Sequence, residues 1–171
     1  MITIQRAPLL YVTGDATMPQ ADGQRIIAHV CNDIGAWGSG FVMAISARWP
    51  EPEEEYRLWA REGPHFELGY TQLVRVDDQT VVANMIAQRG TASSPAGDGL
   101  PPVRYAELGG ALRAVGEEAR KTGASVHMPR IGCGLGGGRW DQVRPVIEWS
   151  LCRRGVPVTI YDLPAGEAPR P

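Results

Sequence analysis

The chain has 171 residues, 43% of them hydrophobic, and a formal net charge of -2. This is enough for one core without disulfides or metals, and it excludes the basic excess with which proteins grip nucleic-acid phosphates broadly. The three cysteines (Cys31, Cys133, Cys152) form no CxxC pair and the three histidines (His29, His65, His127) add no cluster, so free thiols, no metal centre and no cofactor are expected. The first ten residues carry no signal-peptide pattern, and no apolar run reaches the roughly 18–20 residues of a membrane span. A soluble cytoplasmic protein is expected, with one domain over 1–163 and a disordered tail over 164–171.

In chain order, short apolar runs at Ile2–Gln5 and Leu9–Thr13 predict strands. Arg25–Cys31 is a near-continuous apolar run of the kind buried on both sheet faces. Phe41–Arg48 is short and amphipathic and stops at Trp49-Pro50. Pro52–Glu62 opens with proline and acidic residues, which suits a helix N-terminus. Tyr70–Val76 and Thr80–Ala87 flank Asp77-Asp78-Gln79 and predict a hairpin. Arg89–Val103, rich in Gly, Pro and Ser, predicts a mobile surface loop. Tyr105–Lys121 and Trp140–Arg153 carry apolar residues at helical spacing, and strands follow at Val126–Pro129 and Val156–Leu163. Strands alternating with helices predict an α/β fold, with a mixed or largely parallel sheet covered on both faces. Trp49, Trp59, Trp140 and Trp149 are expected in the core. Arg139, Arg144, Arg153 and Arg154 are expected to form a mildly basic surface.

Two glycine-rich loops each join a strand to a helix. Asn32-Asp33-Ile34-Gly35-Ala36-Trp37-Gly38-Ser39-Gly40 leads into Phe41, and Arg130-Ile131-Gly132-Cys133-Gly134-Leu135-Gly136-Gly137-Gly138-Arg139 leads into Trp140. Glycine admits close backbone approach to a phosphate, and free N–H groups at a helix start favour an anion. Neither loop continues into GK[ST], and neither is a GxGxxG followed by an acid at dinucleotide spacing. Together they would clamp a diphosphate from two sides. Asp15, after Gly14 at the end of the LLYVT run, is either an acceptor for an exocyclic amine such as that of adenine or a turn residue. His29, inside an apolar strand, is expected to be a satisfied buried histidine, and Cys133 a small loop residue.

The segments VTGDAT, AHVCNDIGAWGSGF, MPRIGCGLGGGRW and VTIYDL, in this order and spacing, resemble the macrodomain family over nearly the whole chain. The match is to the branch of the terminal ADP-ribose glycohydrolase and the yeast ADP-ribose-1''-phosphate phosphatase. The resemblance implies a three-layer α/β/α fold with a mixed sheet, and ADP-ribose as ligand. Asp15 and Ala16 would bind the adenine, and Tyr161 would pack near it unless it is simply a core aromatic. Gly38, Ser39, Gly40 and Phe41 would wrap the diphosphate and distal ribose from one side, with Ile131, Gly132, Cys133, Gly134, Leu135 and Gly136 on the other. Asn32 and Trp37 would face the distal ribose.

The resemblance to the terminal glycohydrolase implies a catalytic lysine and aspartate that this sequence lacks: Gln88 stands about where the first would be and Gly136 at the place of the second. Glutamine forms no Schiff base, and Arg89 stays protonated. Asn32, Asp33 and Gln88 remain to position or activate a water. The expected activity is hydrolysis of mono-ADP-ribose from acidic side chains or nucleic acid. A non-catalytic reader of ADP-ribosylated protein and an ADP-ribose-1''-phosphate phosphatase are the alternatives.

Overall fold

The computed structural model describes residues 3–165. Six strands, β1 (Leu9–Thr13), β2 (Arg25–Asn32), β3 (Thr71–Arg75), β4 (Thr80–Gln88), β5 (Ser125–Met128) and β6 (Val158–Asp162), form one sheet in the order β1-β6-β5-β2-β4-β3. Every pairing is parallel except β3 with β4, the antiparallel hairpin expected around Asp77-Asp78-Gln79. In that turn Asp77 Oδ1 accepts from Gln79 N at 2.9 Å. The four helices are α1 (Phe41–Ser46), α2 (Glu51–Glu62), α3 (Tyr105–Thr122) and α4 (Trp140–Ser150).

The two faces of β2 explain its continuous apolar run. Ile26 and Ala28 point to a cluster built with Leu108, Leu112 and Val115 of α3 and Val143 and Ile147 of α4. Ile27 and Cys31 point the other way, toward Ile45 of α1, Tyr56 of α2 and Trp37. Strand periodicity of two thus feeds both layers of a three-layer α/β/α sandwich. The sheet is mixed, as the resemblance implies.

Four expectations need correction or delimitation. Thr3–Gln5 form no strand: these residues are exposed, and the segment is held to the body where Ala7 N donates to Cys152 O at 2.9 Å, beside a turn instead of a ladder. α4 stops at Ser150, where the chain tightens into a 3-10 turn (Cys152–Arg154) closed by Gly155 at φ 83°. Trp149 is 62% exposed, on the outer side of α4 with the Arg153 guanidinium 4.4 Å from its ring, because the helical stripe turns Val143 and Ile147 inward. The expected tail over 164–171 lies, from residue 166 onward, outside the described residues.

The loop 89–103 is exposed from residue 92 to 101, yet both its ends are fastened. Gln88 pairs with Val103 and Gly90 with Pro95, while Arg89 N donates to Pro102 O at 2.8 Å.

Candidate ligand cleft

The parallel strands β1, β6, β5, β2 and β4 all end at one edge of the sheet. From the adjacent strands β2 and β5 the chain departs to opposite faces, to α1 and to α4. A crevice therefore opens between the loops that follow them, at the switch point of the sheet. These are the two glycine-rich loops.

The first loop is shaped by Asn32, which is 7% exposed. Its Oδ1 accepts from Ile34 N at 3.1 Å and Ala36 N at 3.0 Å, and its Nδ2 donates to Ala36 O at 2.7 Å. The Tyr56 hydroxyl supports the same residue, 2.7 Å from its carbonyl oxygen and 3.0 Å from Oδ1. Trp37 is 5% exposed; its indole N–H donates to Ser46 Oγ at 2.8 Å and its ring packs edge-on against His29. The position of Trp37 is thus behind the loop, in the core, and not on the face expected to meet a ribose. Gly38 and Ser39 are exposed and Gly40 and Phe41 half-buried.

The second loop folds on the carbonyl of Gly132. Gly138 N donates to it at 2.7 Å, and a Cβ on Gly136 would come within 2.8 Å of it. A side chain at Gly136 is therefore excluded by backbone. The loop faces the first: Leu135 Cδ1 lies 3.6 Å from where a Cβ on Gly40 would stand. Cys133 Sγ points to Ile131 O at 3.4 Å, and burial raises its thiol pKa, with Arg130 opposing. It is a half-buried residue of the loop. Among the described residues no carbonyl accepts from the N–H of Gly38, Ser39 or Gly40, nor from Gly134, Leu135 or Gly136. Two facing sets of backbone donors thus remain open, which is the chemistry of an anion cradle.

At one end of the crevice, exposed Asp15 takes the turn role: Oδ1 accepts from Thr17 N at 2.8 Å and from Thr17 Oγ1 at 2.7 Å. Among the described residues Asp15 Oδ2 accepts no hydrogen bond, so the turn role and an outward acceptor role coexist. Ala16 is buried behind it. Tyr161 is 3% exposed. Its hydroxyl accepts from Gln20 N at 3.0 Å and pairs with His127 Nδ1 at 2.8 Å, and its ring lies under Gly14. The sequence reading missed this Gln20–Tyr161–His127 support; partners 141 and 34 residues apart leave no local signal.

At the other end, Asp33 Oδ1 accepts from Gly90 N at 2.8 Å and Gln88 Nε2 donates to Gly90 O at 3.2 Å. Gln88 Oε1 lies 3.2 Å from the position a Cβ on Gly136 would take. Gln88 and Gly136, separated by 48 positions, are neighbours in space. His29 is a satisfied core residue as expected: Nε2 sits 2.6 Å from Asn84 Oδ1, and burial lowers its pKa to about 4 against the raising effect of that bond.

Comparison with known proteins places this architecture. No family model matches the chain. A macrodomain protein from Streptomyces coelicolor is 50% identical, with 91% of this chain and 99% of that one covered and a TM-score of 0.80. The chain belongs to the macrodomain family. Mouse chromodomain-helicase-DNA-binding protein 1-like is 34% identical to this macrodomain over 167 residues, which is 92% of the chain but 18% of that protein's length. An ADP-ribose 1''-phosphate phosphatase from Lodderomyces elongisporus is 28% identical over 81% of the macrodomain and 89% of the enzyme. The macrodomain spans less than a fifth of the mouse relative and nearly all of the yeast one.

Proposed function

We propose that this macrodomain binds ADP-ribose across its two loops and hydrolyses the bond joining it to an acidic side chain or nucleic acid. The observation that carries the reading is the pair of facing loops with open N–H groups, at Gly38–Gly40 and Gly134–Gly136. A diphosphate fits such a cradle, because several fixed donors share the charge without a side chain having to be ordered. Asp15 Oδ2 would accept from the adenine amine, with the Ala16 N–H beside it. The distal ribose would then reach Asp33 and Gln88.

Among the described residues Asp33 Oδ2 and Gln88 Oε1 accept no hydrogen bond, so each has an acceptor left for a water. In the proposed step that water attacks the anomeric carbon of the distal ribose. Asp33 takes its proton, and the C–O bond breaks to release the target's carboxylate, a good leaving group that needs no acid. Asn32 acts through the loop it shapes. No lysine adduct is involved.

A non-catalytic reader of ADP-ribosylated protein is the second reading. It is favoured by Asn32 and Asp33 both serving the loops. The phosphatase reading draws on the name of the yeast relative. The test is release of free ADP-ribose from a glutamate-linked mono-ADP-ribosylated protein, with ADP-ribose binding followed by calorimetry and phosphate release from ADP-ribose-1''-phosphate in parallel. Turnover of the protein substrate supports the hydrolase; tight binding with neither release supports the reader; phosphate release alone supports the phosphatase; no binding removes all three.

A further inference from the structure

A second cavity, of about 310 Å³, lies behind the Asp15 turn, lined by Thr17, Arg25, Arg48, Trp49, Asp77 and Thr80. That volume is at the lower end for small-molecule sites. Arg25 is half-buried at the start of β2, fixed by Thr80 Oγ1 at 3.0 Å and Ala21 O at 2.9 Å. Arg48 is fixed by Thr17 Oγ1 at 3.1 Å, with its guanidinium carbon 5.8 Å from the Trp49 ring centroid. Among the described residues neither arginine has a carboxylate within ion-pair distance. In Arg25 the Nη2 group, and in Arg48 both terminal nitrogens, donate to no protein acceptor among those residues. The one carboxylate in the lining, Asp77, accepts from Gln79 N, and against the raising effect of burial the bonds from Gln79 and Thr80 and the charge of Arg25 hold it below the usual carboxylate range.

Arg25 is half-buried and Arg48 stands exposed at the rim, and the unused forked donors of two guanidinium groups on one cavity match a phosphate group. We infer that this cavity is an anion site taking a phosphate, free or as a small monoester, distinct from the glycine-loop cleft. It is joined to the Asp15 turn by a short chain of hydrogen bonds: Arg48 Nε donates to Thr17 Oγ1, which donates to Asp15 Oδ1 at 2.7 Å. A phosphate drawing on Arg48 therefore acts on the residue assigned above to adenine. This second clause rests on the ADP-ribose reading; the anion site does not.

The experiment is an amide chemical-shift titration with inorganic phosphate, and separately with ribose 5-phosphate, on the native chain and on Arg48→Gln, Arg25→Gln and Arg25→Lys. Shifts centred on Thr17, Arg25 and Trp49, weakened at least fivefold in Arg48→Gln, are the expected result. Arg25→Lys keeps the charge and retains part of the binding where Arg25→Gln loses it, which separates charge from folding. A tighter response to the ester would name the monoester as the source, and an equal or weaker one free phosphate. Saturable shifts confined to the glycine loops and blind to the Arg48 and Arg25 substitutions, or no saturation at all, overturn the site. ADP-ribose affinity measured with and without phosphate tests the coupling alone. Failure of ADP-ribose to bind would sink the main reading while leaving the phosphate titration to stand or fall separately.

Discussion

Asp33 and Gln88 hold the same residue, Gly90, from its two sides. The Asp33 carboxylate takes the N–H of Gly90 and the Gln88 amide gives to its carbonyl, while Asp33 N donates to Gln88 O at 2.9 Å. Gly90 sits at φ 64°, and a Cβ there would stand 2.5 Å from Ser94 O. One glycine thus fastens the first ligand loop, the end of β4 and the loop 89–103 together. Val103 N, at the far end of that loop, donates to Gly136 O at 3.0 Å and so reaches the second ligand loop.

That arrangement separates two roles of Asp33. Asp33→Asn keeps an oxygen for Gly90 N and removes the base, so ADP-ribose affinity is expected to stay within about threefold while release of glutamate-linked ADP-ribose falls about 100-fold. Asp33→Ala loses the fastening as well and is expected to weaken both. Equal turnover in Asp33→Asn and the native chain would remove Asp33 as the water-activating group.

Gly136→Ala places a Cβ against the Gly132 carbonyl and toward Gln88 Oε1. The loop must shift, at a cost of about 1–3 kcal/mol, and the open N–H groups lose their alignment. Calorimetry is expected to show at least a tenfold loss of ADP-ribose affinity, and urea melts a lower midpoint with unchanged slope.

For Asp15 the turn role and the ligand role can be measured apart. Asp15→Asn retains an acceptor for Thr17 and loses the carboxylate; it is expected to lower ADP-ribose affinity several-fold with little change in melting temperature. Asp15→Ala is expected to lower affinity similarly and also stability, by about 1 kcal/mol, for the lost turn bonds. An Asp15→Asn protein that binds as tightly as the native one would refute the adenine assignment.

Stability is expected to fall in mild acid. Burial lowers both His29 and His127 to about 4 from an ordinary 6.5, with Asn84 opposing it at His29 and Arg25 adding to it at His127. Between these values the unfolded chain binds protons that the folded one refuses. The folded state is therefore at full strength above about pH 6.5 and loses ground as pH drops toward 4, with a slope approaching about 1.4 kcal/mol per pH unit for His29 alone. Urea unfolding at pH 7.5, 6 and 5 reads this directly, and a flat profile would contradict it.

The sequence by itself determined the order of elements from Leu9 onward, the two-sided burial of β2 and the strand–glycine–helix character of both loops, because these rest on local periodicity and on backbone freedom at named glycines. Only the tertiary structure decided what each side chain touches. Pairing β2 with β4 and β5 brought Asp33, Gln88, Gly90 and Gly136 to one end of the crevice and turned Asn32 inward to shape its own loop. It also put Trp37 behind that loop while leaving Trp149, on α4 and equally apolar in sequence, on the surface. Hydrogen bonds between residues far apart in the chain carry no local pattern, so the difference between a loop-shaping carboxylate and an open one became visible only once the strands had placed them.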